Sequence, residues 1–368
     1  MRVLHILDEL KFSGAEIMYV AAAKLFQEQG CELYVVNTAD ALGEYAPFFK
    51  EAGYTVLHWP YEHLSLIRKM VYWNHVIRFI RHHGIDVVHV HRPDMKCPMA
   101  YCAWRAGARS IFTYHSEFPS RVITYPYHVL LRYCCKYLFH QVQQTIGDSV
   151  YEHELTYFHN KTIKINNWYN SSKYYPAAVD EKRRLRQQLG IKPETLTVIS
   201  IGGCSYIKRH EDILQAIAIA RHLCPDILYL HLGEGEKTEE ERKLCDSLAV
   251  CDVTRFLGNQ KNVRPYLVAS DIYVMTSRNE GMPITAIEAM ACGVPSVFYN
   301  VQGLRDFNQY GECSILIEEN PAKLAEAILA LSADLEKQRQ LTANAIDFVT
   351  KEFDMRKNVR MIFDLYVK

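Results

Sequence analysis

SRNEGMPITAIEAMACGVPSV, residues 277–297, follows an apolar run from Ile272 to Met275 that has the length of a buried strand. Glu280 and Gly281 then occupy a turn, Pro283 suits the first helical position, and Gly293 suits the stop after a helix from Ile284 to Cys292. Strand, turn and helix in this order form one βα unit of a parallel sheet, with the amides of Gly281, Met282 and Ile284 at the mouth of the sheet. An anion at such a helix terminus gains about 0.3 to 1 kcal/mol. Glu280 and Glu288 lie eight residues apart, a little over two helical turns, so both carboxylates can face one ligand from different heights.

The same alternation runs outward in both directions. Before the middle of the chain, strands are expected at Val3–Leu7, Leu33–Asn37, Thr55–His58, Val87–His91, Ser110–Tyr114 and Gln143–Ile146, with helices at Leu64–His82 and Val122–His140. The pattern restarts with strands at Thr197–Ile201, Ile227–Leu232, Thr254–Leu257, Ile272–Met275 and Ser296–Tyr299, and helices at His210–His222 and Glu239–Leu248. Between the two runs lies NNWYNSSKYYP, residues 166–176, rich in turn formers and closed by a proline. An α/β protein of two domains follows, 1–170 and 171–352, and a last amphipathic helix, 353–368, is expected to cross back to the first domain. Its apolar face is read as Val359, Ile362, Phe363 and Tyr366.

Composition narrows the class. The 368 residues are 49% apolar and 23% charged, ordinary for a globular chain, and the 42 basic and 42 acidic residues leave no net field to attract nucleic acid. Eleven cysteines, odd in number and never spaced Cys-x-x-Cys, argue against both a disulfide framework and a zinc site. Asp8, Glu9 and Lys11 interrupt the first apolar run before it resembles a signal-peptide core, and no segment reaches membrane-span length, so a cytoplasmic location is expected. Residues 60–140 hold eleven Lys or Arg against four Asp or Glu, mixed with aromatic side chains such as Trp73, Trp104 and Tyr127. That mixture suits the headgroup zone on the inner face of a membrane, and it equally suits packed helices with a solvated basic side.

Other segments offer chemistry with less specificity. In KFSGAE, Gly14 precedes a helix and lets backbone approach a phosphate, although GxGxxG is absent and a plain turn fits as well. His89 and His91 alternate along one strand and share a side, but no third ligand is identifiable and no Asp-x-Asp occurs, so no metal is expected. His115 stands alone near a strand end, where a histidine is more often structural than catalytic.

The EGMP…EAMACGVPSV segment closely resembles the family-four retaining glycosyltransferases, and the resemblance extends over essentially the whole chain. It implies the GT-B fold, two Rossmann-like domains facing across a cleft, and transfer of a hexose-type sugar from a nucleotide diphosphate sugar such as a UDP- or GDP-sugar. It implies a glycan or lipid-linked acceptor, as in polysaccharide biosynthesis, and no cofactor. On this resemblance Glu280 holds sugar hydroxyls, Glu288 the ribose, Gly14 lies beside the donor phosphates, and His115, in TYHSEFP, lies near the anomeric carbon. Phe256, Leu257 and Gly258 are similar to the strand end near the nucleotide base, and NNWYN stands where the family's interdomain strand ends. In IGGCSYIKRH, Lys208 matches the family's diphosphate lysine, but Gly203 stands where the family has an arginine, and Arg209 is the nearest substitute. An epimerase or phosphorylase on the same fold, or a binder of nucleotide sugars without catalysis, remains open, since a fold does not fix a reaction.

Overall fold

The computed structural model describes residues 1–61, 63–117 and 122–367. Two compact units result, Met1–Trp168 together with Met355–Lys368, and Tyr169–Asp354.

The N-terminal unit is built on seven parallel strands: β1 (Arg2–Leu7), β2 (Glu32–Asn37), β3 (Thr55–His58), β4 (Val87–Val90), β5 (Arg109–Tyr114), β6 (Val142–Thr145) and β7 (Ile163–Lys164). Their order is β3-β2-β1-β4-β5-β6-β7. After Arg2, β1 is buried throughout, as a central strand covered on both faces must be. Helices α1 (Gly14–Glu28), α2 (Ala46–Glu51), α3 (Leu66–His83), α4 (Lys96–Ala106), α5 (Tyr125–Tyr133) and α6 (Asp148–Glu152) make the crossovers.

The C-terminal unit repeats the plan with helix α7 (Val179–Gln188), then strands β8 (Leu196–Ile201), β9 (Ile227–Leu232), β10 (Thr254–Phe256), β11 (Ile272–Met275), β12 (Ser296–Tyr299) and β13 (Ile315–Ile317). Their order is β10-β9-β8-β11-β12-β13. Between and after them run α8 (His210–Ala220), α9 (Thr238–Ser247), α10 (Arg264–Ala269), α11 (Ile284–Ala291), α12 (Pro321–Ala333) and α13 (Leu335–Glu352). In each sheet the first strand is flanked by the second on one side and the fourth on the other. The winding direction therefore reverses there, at the C-terminal ends of those strands, where open α/β sheets bind their ligands.

Helix α14 (Met355–Val367) belongs to the N-terminal unit, where the Tyr366 hydroxyl lies 2.8 Å from His89 Nδ1 and its ring stacks on Phe26. Leu365 is buried in it, whereas the expected Phe363 is only half-buried. Three local readings need correction. Pro283 is extended, with ψ 120, so it caps α11 and the helix begins at Ile284; the fixed proline φ is compatible with either position. The run expected as one helix from Val122 to His140 is a 3-10 turn, then α5, then a π-helical turn at Cys134–Leu138. The edge strands β7 and β13 are two and three residues long, too short for a periodicity to register.

Candidate functional site

In the C-terminal unit the loops after the neighbouring strands β8 and β11 lie against each other. The Thr276 hydroxyl donates to the Lys208 and Arg209 carbonyls at 3.2 and 2.9 Å, and the Arg278 amide donates to the Ile207 carbonyl at 2.8 Å. This stitching brings Lys208 Nζ to 2.7 Å from Glu280 Oε1, with both side chains still partly open to solvent. The lysine stem runs over Gly202, where a Cβ would stand 3.3 Å from its Cδ and Cε. Glu280 is fixed from behind: its amide donates to the Gln302 carbonyl at 3.1 Å, and Gly303, at φ +77, sits where a Cβ would be 2.3 Å from the Glu280 carbonyl oxygen. Only glycine fits that contact.

Gly281, Met282, Pro283 and Ile284 follow as the N-terminus of α11, which no side chain caps. About one turn into the helix, Glu288 is buried, and burial pushes its carboxyl up to about 7, against the opposing effects of a hydrogen bond from Tyr174 and the charge of Lys173. Arg209 goes elsewhere. It caps α8 in a left-handed conformation, φ 55, and its guanidinium pairs with Asp212 at 3.0 Å and with Glu319. It is thus held by two carboxylates and not by the Lys208–Glu280 pair.

Gly203 and Gly258 meet the same residue. A Cβ at Gly203 would lie 3.2 Å from the Glu234 carbonyl oxygen, and one at Gly258, φ +65, would lie 2.7 Å from Glu234 Oε1. Phe256 ends β10 with its ring 5.0 Å from that of His231, and the Leu257 amide donates to the His231 carbonyl at 2.9 Å. Phe256, at the end of β10, thus lies on the side of β9 away from β11.

In the N-terminal unit, Gly14 opens α1 behind Ser13, whose hydroxyl donates to the Glu16 carboxylate and leaves the helix without a side-chain cap. Glu16 is buried, which pushes its carboxyl up to about 7. His115 follows β5 and touches His91, Nε2 to Nδ1 at 2.9 Å, and His91 Nε2 in turn lies 3.1 Å from His5 Nδ1. His5 on β1 is the third imidazole beside His89 and His91 that the sequence did not reveal. Burial lowers His5 to about 3 and His115 to about 4 and holds His89 and His91 well below the usual range, so the chain is neutral at physiological pH. Phe118 and Pro119 of TYHSEFP lie outside the described residues.

The chain matches the family described as Glycosyltransferase Family 4 over residues 12–160 and Glycosyl transferases group 1 over residues 181–348. It belongs to the family 4 glycosyltransferases. The N-acetyl-alpha-D-glucosaminyl L-malate synthase of Bacillus anthracis is 25% identical over 371 residues, covering 96% of this chain and 93% of that one. Among solved structures, a glycosyltransferase from Rickettsia africae superposes with a TM-score of 0.84 at 15% identity, covering 99% of this chain and 97% of that one. Anabaena HepE in complex with UDP and glucose gives a TM-score of 0.83 at 18% identity, covering 99% and 98%. These structures establish the GT-B fold for this glycosyltransferase.

Four residues of the site escaped sequence reading. Gly303 and Glu234 act through backbone approach between loops distant in sequence, and His5 joins its partners only through the pairing of β1 with β4. Glu16 carried a local signal, an acid in the first turn of a helix beginning at a glycine, and was passed over beside Gly14. A cavity of about 580 Å³ near Lys182, Arg186 and Asp271 lies at the opposite end of the C-terminal sheet, where β11 and β12 begin, and Lys182 and Arg186 already pair with Asp271. Among the described residues of the glycosyltransferase, no helix is long and apolar enough to cross a membrane.

Proposed function

We propose that this glycosyltransferase transfers a hexose-type sugar from a nucleotide diphosphate donor to a glycan or lipid-linked acceptor with retention of anomeric configuration. The observation that carries the reading is the 2.7 Å pair of Lys208 and Glu280 at the reversal point of the C-terminal sheet, beside an uncapped helix terminus. An incoming diphosphate competes for Lys208 and for the α11 amides, which frees Glu280 to accept hydroxyls of the sugar. Glu288 takes the ribose, and Phe256, Leu257 and Gly258 flank the base. Gly14 approaches the donor phosphates and neutral His115 the reacting carbon. As the bond from the anomeric carbon to the phosphate oxygen breaks, the acceptor oxygen bonds to that carbon from the same face. The acceptor proton passes to the departing phosphate oxygen. Lysine and amides, with no metal in the chemical step, stabilise the leaving group. The UDP and glucose held by the HepE structure and the N-acetyl-alpha-D-glucosaminyl L-malate synthase among the relatives support the donor class.

Exposed apolar side chains bear on the acceptor: Leu66, Ile67 and Met70 on α3, and Val122, Ile123 and Leu130 at α5, beside the cations Arg68, Lys69 and Lys136. Such a surface suits a membrane interface carrying a lipid-linked acceptor.

The test is release of nucleoside diphosphate from UDP-, GDP- and ADP-sugars, with and without a lipid fraction, followed by NMR of the product's anomeric centre. One donor is expected to turn over with retained configuration, and Lys208→Ala to slow it by roughly 10²–10³-fold. Inversion, or no turnover of any donor, overturns the reading. A binder without catalysis is the second reading, favoured by Gly203 in place of the arginine and by the commitment of Arg209 to Asp212 and Glu319; saturable donor binding without diphosphate release selects it.

A further inference from the structure

Cys204, His210, His231 and Glu241 are all buried in the C-terminal unit, and one ligand atom from each lies within 4.8 Å of the others. Cys204 comes from the loop after β8, His210 from the first residue of α8, His231 from β9 and Glu241 from α9. His231 Nε2 stands 3.1 Å from His210 Nδ1, 2.9 Å from Glu241 Oε2 and 3.8 Å from Cys204 Sγ, and His210 Nδ1 is 3.2 Å from Glu241 Oε1.

Hydrogen bonds do not satisfy this arrangement. An ionised Glu241 accepts only, so its contacts with His210 and His231 each require a proton on the facing nitrogen. The 3.1 Å contact between those same two nitrogens requires one of them to be bare. The other nitrogen of His231, Nδ1, is buried with no partner at all. A cation at the centre removes the conflict, because both imidazoles then present lone pairs and the carboxylate binds charge. Zinc–nitrogen and zinc–oxygen bonds of about 2.0–2.2 Å and a zinc–sulfur bond of about 2.3 Å place tetrahedral ligand atoms roughly 3.3–3.6 Å apart. The four atoms here need to move only by tenths of an ångström to about an ångström to enclose such an ion.

We propose that these four side chains form a structural zinc site. One sulfur, two nitrogens and one carboxylate match the preferences of zinc, and four protein ligands in a buried pocket leave no open position for substrate. On binding, the Cys204 thiol loses its proton to solvent, and the resulting thiolate and the Glu241 carboxylate balance the two charges of the ion, so the buried assembly is neutral. The first two ligands bracket residues 204–210, the segment that carries Lys208, and the metal fastens that segment to β9 and α9. Gly235 already presses against it, since a Cβ there would lie 2.3 Å from the Cys204 carbonyl oxygen, and Gly233 presses just before it, where a Cβ would lie 1.9 Å from the Gly202 carbonyl oxygen.

Metal content tests the site independently of sugar transfer. The full chain, without a polyhistidine tag and expressed with added zinc, is expected to carry about one zinc per molecule by elemental analysis, and a strong chelator is expected to lower its melting temperature. Cobalt loaded into the stripped protein is expected to show a thiolate-to-cobalt charge-transfer band that Cys204→Ser abolishes while the variant remains folded by circular dichroism. Glu241→Gln serves as a second variant should the serine protein misfold, and is expected to lower occupancy at least about tenfold. Less than about a tenth of an equivalent of zinc in the wild type with no cobalt spectrum overturns the proposal. So does a cobalt band that survives in Cys204→Ser.

Discussion

The two sheets follow the same strand order, yet they place different chemistry where that order reverses. At the N-terminal reversal, between β1 and β4, a chain of His5, His91 and His115 is stripped of charge by burial and Glu16 is shifted to about 7, while Arg92 and Asp8 form an ion pair at 2.6 Å just past the strand ends. At the C-terminal reversal, between β8 and β11, Lys208 and Glu280 form a partly solvated ion pair. Both reversals thus carry an ion pair, and the N-terminal one adds to it a chain of buried, uncharged imidazoles. The buried histidines of the two units differ in their partners. Those of the N-terminal unit have imidazoles and hydroxyls for partners, whereas His210 and His231 share theirs with a thiol and a carboxylate, a donor set that only a cation satisfies in full.

The sharpest break of this comparison comes from activity. Glu280→Ala is expected to cost roughly 10²–10³-fold in kcat, and His115→Ala roughly tenfold, since in the proposed function the first removes a charged contact to the transferring sugar and the second a neutral one. Steady-state kinetics on both variants decides; a histidine effect larger than the glutamate effect inverts the assignment of charged and neutral roles.

Acid titration of stability separates the buried acids from the ion pair. Glu288 binds its proton more tightly folded, at about 7, than unfolded, at 4.5, so the folded state holds more protons across that window. Stability contributed by this group is therefore lost as pH rises from about 4.5 to 7, by about 3 kcal/mol in all, and is flat on either side. Urea unfolding at pH 5 and pH 8 is expected to show Glu288→Gln removing that slope, and Glu16→Gln doing the same for the N-terminal unit. An unchanged slope in both variants rejects the neutral-acid picture.

The histidine chain acts in the reverse sense. His5 ionises at 6.5 when unfolded and at about 3 when folded, so the unfolded state takes up the proton first and stability falls as pH drops below about 6.5. At pH 5 this amounts to about 2 kcal/mol, and His5→Phe is expected to shrink the acid sensitivity by that much in chemical denaturation. A comparable effect is expected from Gly303→Ala, about 1–3 kcal/mol from a positive φ and a blocked approach to the Glu280 carbonyl oxygen, read as a lower melting temperature. An unshifted melting temperature means that the Glu280 loop is not held from behind.

Legibility in the sequence followed the range of the interactions. Ile227–Leu232, Thr55–His58, Ile272–Met275 and Ser296–Tyr299 are strands at the residues expected, because an unbroken apolar run bounded by turn formers is a local property. Glu280, Gly281 and Glu288 were legible for the same reason, lying within a dozen residues of one strand–turn–helix unit. Lys208 was found by resemblance to the family, whereas the diversion of Arg209 to Glu319 joins positions more than a hundred residues apart and left no trace in either segment.

Alternation of short apolar runs with helical segments marked the two-sheet α/β plan, and glycine and proline placement marked the turn that carries Glu280, since both depend on neighbours along the chain. Strand order decided everything that converges: the pairing of Lys208 with Glu280, the union of His5 with His91, and the gathering of Cys204, His210, His231 and Glu241 from four elements. Spacing along the chain argued against zinc because it could test only ligands close in sequence. Parallel strands with long crossovers bring distant residues side by side, and that proximity is a property of the folded sheet.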